Sequence, residues 1–163
     1  MKKIILLTFI LFSINGLAQR NDALFLEQIM INTFSFIQTE HSLVSIIGEP
    51  ETIKNYYNEI ENENWQDYRY SDNSFYFFAK KMVGFDLKSD AFYFYNPIIK
   101  VGNPISGINS FFPNSYSNRG IVGDLGFVTV NINMDDGTIS ETIVVINYNK
   151  VSNVITSIHL GTK

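Results

Sequence analysis

The chain of 163 residues contains no cysteine, which excludes disulfides, thiolate metal sites, a cysteine nucleophile and the lipid-bearing cysteine of a lipoprotein. Histidine is scarce: His41 and His159 are the only two, and neither has a carboxylate or second histidine at ligand spacing. A metal site or catalytic triad built on them is therefore not expected. No glycine-rich dinucleotide fingerprint, phosphate-binding loop or G-x-S-x-G elbow occurs, so no cofactor is implied. Basic charge is in deficit, with 12 Lys+Arg against 16 Asp+Glu and a net charge of −4. An acidic chain without a basic stripe is a poor partner for nucleic acid or anionic lipid. No apolar run reaches the ~20 residues needed to cross a bilayer, so membrane insertion is not expected.

What is present begins with a leader. Lys2 and Lys3 precede an apolar stretch from Ile4 to Phe12, and Gly16-Leu17-Ala18 follows. This pattern is that of a secretory signal peptide over residues 1–18, cleaved after Ala18. It predicts a bacterial periplasmic or secreted protein. Cleavage leaves residues 19–163, enough for a single compact domain with a real core. The two lost lysines reduce Lys+Arg to 12 − 2 = 10 against 16 Asp+Glu, a net charge of 10 − 16 = −6. Without disulfides the fold must be held by burial, and the 14 Phe, 9 Tyr and 1 Trp of the chain are the main resource.

Hydrophobic periodicity sets out the order of elements. Residues 22–38 read as an extended start. Thr39 is a plausible cap for a helix over Glu40 to Ile47, with Leu43, Val44 and Ile47 on one face, Gly48 as its stop and Pro50 beyond it. Short strands follow at Ile53–Tyr57, Trp65–Tyr70, Phe75–Phe78, Met82–Leu87 and Phe92–Tyr95, with turns at Ser71-Asp72-Asn73 and Lys88-Ser89-Asp90. Their close spacing favours antiparallel pairing. A second helix is expected from Pro104 to Phe112, ended by Pro113. Strands at Phe127–Asn133, Ile139–Tyr148 and Val154–Leu160 complete the chain.

The stretches SLVSIIGEP (Ser42–Pro50) and GINSFFPNS (Gly107–Ser115) are both amphipathic runs meeting a proline, each followed by strands. The order of elements suggests two tandem units, about 24–97 and 98–163. The fold class expected is α+β: an antiparallel sheet with short helices, in two helix-plus-strands repeats. On that reading Leu43 and Ile47 correspond to Ile108 and Phe112 as core residues, and Glu49 and Asn114, just beyond the helices, matter little to stability.

With VGNPISGINSFFP (Val101–Pro113) and Ser42–Pro50 as its carriers, this order resembles the β-lactamase-inhibitor-protein fold, and a single unit is similar to the SmpA/OmlA (BamE-like) envelope proteins. The resemblance implies a non-catalytic binding or inhibitory protein. It assigns no individual residue.

Two local patterns point to chemistry and are better read as structure. NINMDDGTISET (Asn131–Thr142) has the acidic look of a calcium loop, but Asp136 stands where the loop needs glycine and Thr142 where it needs glutamate. Asp135-Asp136-Gly137 is instead a hairpin turn, with Gly137 at positive φ. Glu59, Glu61 and Glu63 alternate and would share one side of an extended chain, yet charge runs usually face water.

The most distinctive feature is aromatic. FYFF (Phe75–Phe78) and FYFY (Phe92–Tyr95) put rings on both faces of their strands. Tyr76, Tyr93 and Tyr95, joined by Tyr68 and Tyr70, form the candidate binding face, because tyrosine offers large contact area and a polar tip. The function expected is an exported, non-enzymatic protein that recognises a protein partner through this face. The alternative is a small-ligand or glycan binder, distinguished by a cleft that encloses the rings.

Overall fold

The computed structural model describes residues 21–59 and 62–162; the leader predicted over residues 1–18 and Glu61 of the acidic run lie outside the described residues. The chain opens with β1 (Ala23–Phe25), a 3-10 turn (Leu26–Gln28), β2 (Met30–Ile31) and β3 (Phe34–Ser35). Helix α1 (Glu40–Ile47) follows, and then four strands, β4 (Thr52–Asn58), β5 (Glu63–Tyr70), β6 (Asn73–Phe78) and β7 (Lys81–Leu87). After a crossing segment come a 3-10 helix (Ile105–Ser110) and α2 (Pro113–Ser117). The chain ends in β8 (Gly120–Val122), β9 (Leu125–Asn133), β10 (Ile139–Asn149) and β11 (Val154–Thr162).

Local chemistry explains α1. The Thr39 side chain accepts from Ser42 N, Leu43 points inward, and Gly48 adopts φ 103° at the exit. The helix docks on the β6–β7 turn, where Glu40 N donates to Lys80 O at 3.3 Å. That turn joins Phe78 to Lys81 through Ala79 (φ 45°) and Lys80 (φ 70°). Two positive φ values give the primed hairpin geometry that matches strand twist, here without glycine.

The strands form one continuous nine-stranded sheet in the order β1-β9-β10-β11-β7-β6-β5-β4, with β8 also pairing β9. All the neighbouring pairs are antiparallel except β1 and β9, which run parallel. The small β2–β3 hairpin lies apart from this sheet. This corrects the expected fold class. The sheet is mixed and strand dominates over short helical pieces. The two halves join as one sheet through the β11–β7 ladder (Ile158↔Leu87, His159↔Asp86).

The second expected helix is corrected as well. The segment expected as an α-helix over Pro104–Phe112 is a 3-10 helix, and Pro113 begins α2 instead of ending a helix. Proline is tolerated at the first helical position because its missing N–H has no partner to lose there. The first helix leads into β4 from a dock on the β6–β7 turn. The second segment is tied to the β10–β11 turn, with Ile105 N donating to Asn153 O at 2.8 Å. Each segment thus docks on the turn between the last two strands of its half, and in each the cap residue bridges the first residue of the last strand, Thr39↔Lys81 and Pro104↔Val154. The strand expected at Phe92–Tyr95 is also replaced, by isolated bridges Ile31↔Phe94 and Tyr93↔Lys100, because Tyr95 turns to φ 62°.

One face of the sheet carries the core. Phe75, Phe77, Phe85, Leu87, Val128, Val130, Val144, Ile146 and Ile158 project from it and are buried. Ile29, Ile31, Phe34, Leu43, Phe94, Ile99, Ile108 and Phe112 cover them from the hairpin, α1, the crossing segment and the 3-10 helix, also buried. Phe94 stacks between Phe85 and Phe112, at centroid distances of 6.2 and 6.4 Å. Each such side chain contributes about 1.5–3 kcal/mol by leaving water.

Candidate functional site

The other face of the sheet is built by the same alternation. Where Tyr68, Phe75 and Phe85 align across β5, β6 and β7 on the core side, their neighbours Asp67, Tyr76 and Gly84 align on the opposite side. The next register brings Arg69, Ser74 and Asp86 together, and Asp86 in turn pairs with His159 of β11. Lys54 of β4 sits across from Asp67. Among the described residues no helix or second sheet lies over this face, and its side chains are mostly half-buried or exposed.

Tyr76 is the centre of this surface. Its side chain passes Gly84, where a Cβ would stand 3.2 Å from Cδ2. Glycine thus leaves room for the near edge of that ring. Burial against the sheet raises the Tyr76 hydroxyl pKa above its ordinary value. On one side of the ring, Arg69 Nε donates to Asp67 Oδ2 at 2.6 Å. On the other, Lys88 Nζ meets Asp86 Oδ2 at 2.5 Å, which raises the lysine pKa. A cleft of about 420 Å³ opens among Lys54, Asn55, Asp67, Arg69 and Tyr76. A second, of about 320 Å³, opens beyond Tyr76 and includes Asp86, Lys88, Ser157 and His159.

Asp86, His159 and Ser157 share that second cleft, which invites comparison with a hydrolytic triad. The hydrogen bonds a triad needs are made elsewhere. Asp86 is engaged by Lys88, and Ser157 Oγ accepts from Asn147 Nδ2 at 3.0 Å. Burial pushes the His159 pKa down, so the imidazole is neutral near pH 7, but no hydrogen bond joins it to Ser157 or Asp86 among the described residues. The arrangement offers donors, acceptors and a ring to a bound surface, without an activated nucleophile.

The five tyrosines singled out from sequence do not form one face. Tyr76 alone is on the open side. Tyr68 is 7% exposed beneath α1, and burial, with the nearby Glu40 carboxylate, raises its hydroxyl pKa. Tyr70 packs edge-on against Phe75 and Phe92, donates to Gly48 O at 2.8 Å, and has its pKa pushed up to about 12 by burial and the nearby Glu49. Tyr95, 38% exposed, packs on Phe111 and Phe112, and Tyr93 is half-buried in the crossing segment. Tyr68 and Tyr70 are thus core-side groups, separated from Tyr76 by the thickness of the sheet.

Lys54, Asp67, Arg69, Asp86 and Lys88 were missed by the sequence reading. Their signal is the same period of two: D-Y-R-Y and F-D-L-K place charge at every position between the apolar ones. His41 shares a cleft of about 230 Å³ with Glu40, Glu49 and Tyr68. Among the described residues no group of three or more His, Asp or Glu side chains could hold a metal ion. Asp136 accepts from Thr138 N and Oγ1, which lowers its carboxyl pKa and closes the turn where Gly137 takes φ 79°. Among the described residues, no helix is long and apolar enough to cross a membrane.

No protein-family model and no curated protein matches the chain. A crystal structure of an extracellular protein containing a SCP domain from Bacillus anthracis str. Ames is similar at a TM-score of 0.47 and 9% identity, covering 78% of this chain and 44% of that one. The chain therefore spans less than half the length of that protein, and a likeness this distant carries no argument about fold or function.

Proposed function

We propose that this chain is an exported, non-catalytic binding protein that recognises another protein through the open face of its sheet, in an inhibitory, immunity or envelope-assembly role. The supporting observation is the face itself. Among the described residues it runs without cover across β4, β5, β6, β7 and β11, with Tyr76 at its centre and the Asp67–Arg69 and Asp86–Lys88 pairs on either side. A broad surface with shallow clefts suits a macromolecular partner, whereas a small ligand is usually enclosed. Tyrosine and arginine are the residues that most often anchor such contacts. Flanking charges fix orientation and exclude wrong partners more than they add affinity.

The non-catalytic reading is supported by the engagement of Asp86 and Ser157 by neighbours other than His159. The leader pattern supports export to the periplasm or beyond. The test is affinity capture from envelope extracts with residues 19–163, wild type against a variant carrying Arg69→Ala, Tyr76→Ala and Lys88→Ala. A partner retained by the wild type and by Tyr93→Ala, but lost by the triple variant, is the expected result. Retention by the triple variant would contradict the assignment of this face.

A further inference from the structure

The geometry points to a saccharide subsite in the cleft of about 420 Å³ between β4, β5 and β6, read by Asp67, Arg69, Lys54 and Tyr76. This goes beyond the protein-recognition reading and rests on a different observation, the state of Asp67. On a face open to water this carboxylate is only 3% exposed, under its neighbours. One oxygen, Oδ2, accepts from Arg69 Nε. The other, Oδ1, is buried with no hydrogen-bond partner among the described residues. A buried acceptor without a donor is costly, so its persistence on a binding face calls for a donor brought from outside.

The groups around Asp67 narrow the chemistry of that donor. Lys54 and Arg69 are cations that only donate, while ionised Asp67 only accepts. A purely cationic ligand would meet the two positive side chains, and a purely anionic one would meet Asp67. A hydroxyl both donates and accepts, so adjacent hydroxyls on one ring can give a hydrogen bond to Asp67 Oδ1 and take others from Lys54 and Arg69. Tyr76, beside the cleft, offers an aromatic ring for the apolar side of a pyranose. Access requires the cover over Oδ1 to move, and Arg69, with 44% of its side chain exposed, has room to do so.

The experiment is an NMR titration of ¹⁵N-labelled residues 19–163 with methyl glucoside, N-acetylglucosamine and galacturonic acid, to tens of millimolar. At least one sugar is expected to shift the amide signals of Lys54, Asp67, Arg69 and Tyr76 together. The uncharged sugars test hydroxyl recognition alone, and the uronate tests whether the extra cation adds to it. Asp67→Asn keeps the shape but loses the acceptor charge, and should weaken binding by about tenfold or more. Tyr76→Leu should weaken it independently, which guards against a misfolded Asp67 variant, and Val151→Ser, on the β10–β11 turn, should change nothing. No response to any sugar, or equal responses in wild type, Asp67→Asn and Tyr76→Leu, would overturn the subsite. Loss of a captured protein in the triple variant without any sugar response would overturn the subsite alone. A sugar response with capture unaffected would leave the subsite and remove the protein reading.

Discussion

Replacing Asp22 with alanine cuts the clasp that holds the start of the chain to the rest. Its Oδ1 accepts from Asn114 Nδ2 at 3.0 Å and its Oδ2 from Ser115 N at 2.9 Å. The Asp22 N–H donates to Ser115 Oγ at 2.9 Å, and Asp22 O accepts from Asn131 N at 2.8 Å, next to the first rung of the parallel β1–β9 ladder. The two backbone bonds survive the substitution. The two carboxylate bonds do not, and Ser115, 1% exposed, keeps a buried N–H without its acceptor. Hydrogen bonds to a charged group are worth ~1.5–3 kcal/mol each, and the half-buried position of Asp22 puts them at the low end, so the loss is about 3 kcal/mol. For a domain of this size that is roughly 10 °C in melting temperature. Thermal unfolding of residues 19–163 followed by circular dichroism measures it. Asn114→Ala should lose about a third to a half of this, contrary to the small effect its position just past a supposed helix would suggest. A shift of under ~2 °C for Asp22→Ala would refute the clasp, since it falls below even one charged hydrogen bond.

Other substitutions test separate parts of the account. In the β6–β7 turn, Ala79→Asn combined with Lys80→Gly should raise stability by ~1–2 kcal/mol, because asparagine and glycine accept the two positive φ values with less strain; a loss in chemical denaturation would contradict the turn geometry. Gly126→Ala would bring a Cβ to 2.0 Å from the ring of Tyr148, which is 2% exposed, so a drop of several degrees in melting temperature is expected and a neutral result would refute the close approach. His159 has a folded pKa below its ordinary value of about 6.5. Below that pH the unfolded chain binds a proton that the folded chain resists, so stability falls as pH drops from about 6.5 towards the folded pKa. His159→Gln should flatten that part of the stability–pH curve, and an unchanged slope would count against burial as the cause.

What was legible in the sequence was local. Thr39, Leu43 and Gly48 announce α1 through cap, core contact and stop, within a ten-residue window. Alternation located nearly every strand of the large sheet. The β1–β9 pair was not legible, because residues 108 apart meet in parallel through a rung such as Ala23↔Asn131 that leaves no local trace. Ile105 and Ile108 stand three apart, a spacing that 3-10 and α-helices share, and proline at 113 is as compatible with a first turn as with a stop. The tyrosine face failed for a related reason. A period of two tells which residues share a side, but not which side is covered. Here the covered side took Tyr68 and Tyr70 along with Phe75, and the charged positions between them, Asp67 and Arg69, mark the open one.

The central claim is that the open face around Tyr76 is the recognition surface. Hydrogen exchange of residues 19–163, free and saturated with a captured partner, tests it most directly. The account predicts new protection in β5, β6, β7 and β11, around Asp67, Tyr76, Asp86 and His159, with the crossing segment at Tyr93 and Tyr95 unchanged. Protection confined to that segment, or to α1, with the open face exchanging as in the free chain, would contradict it.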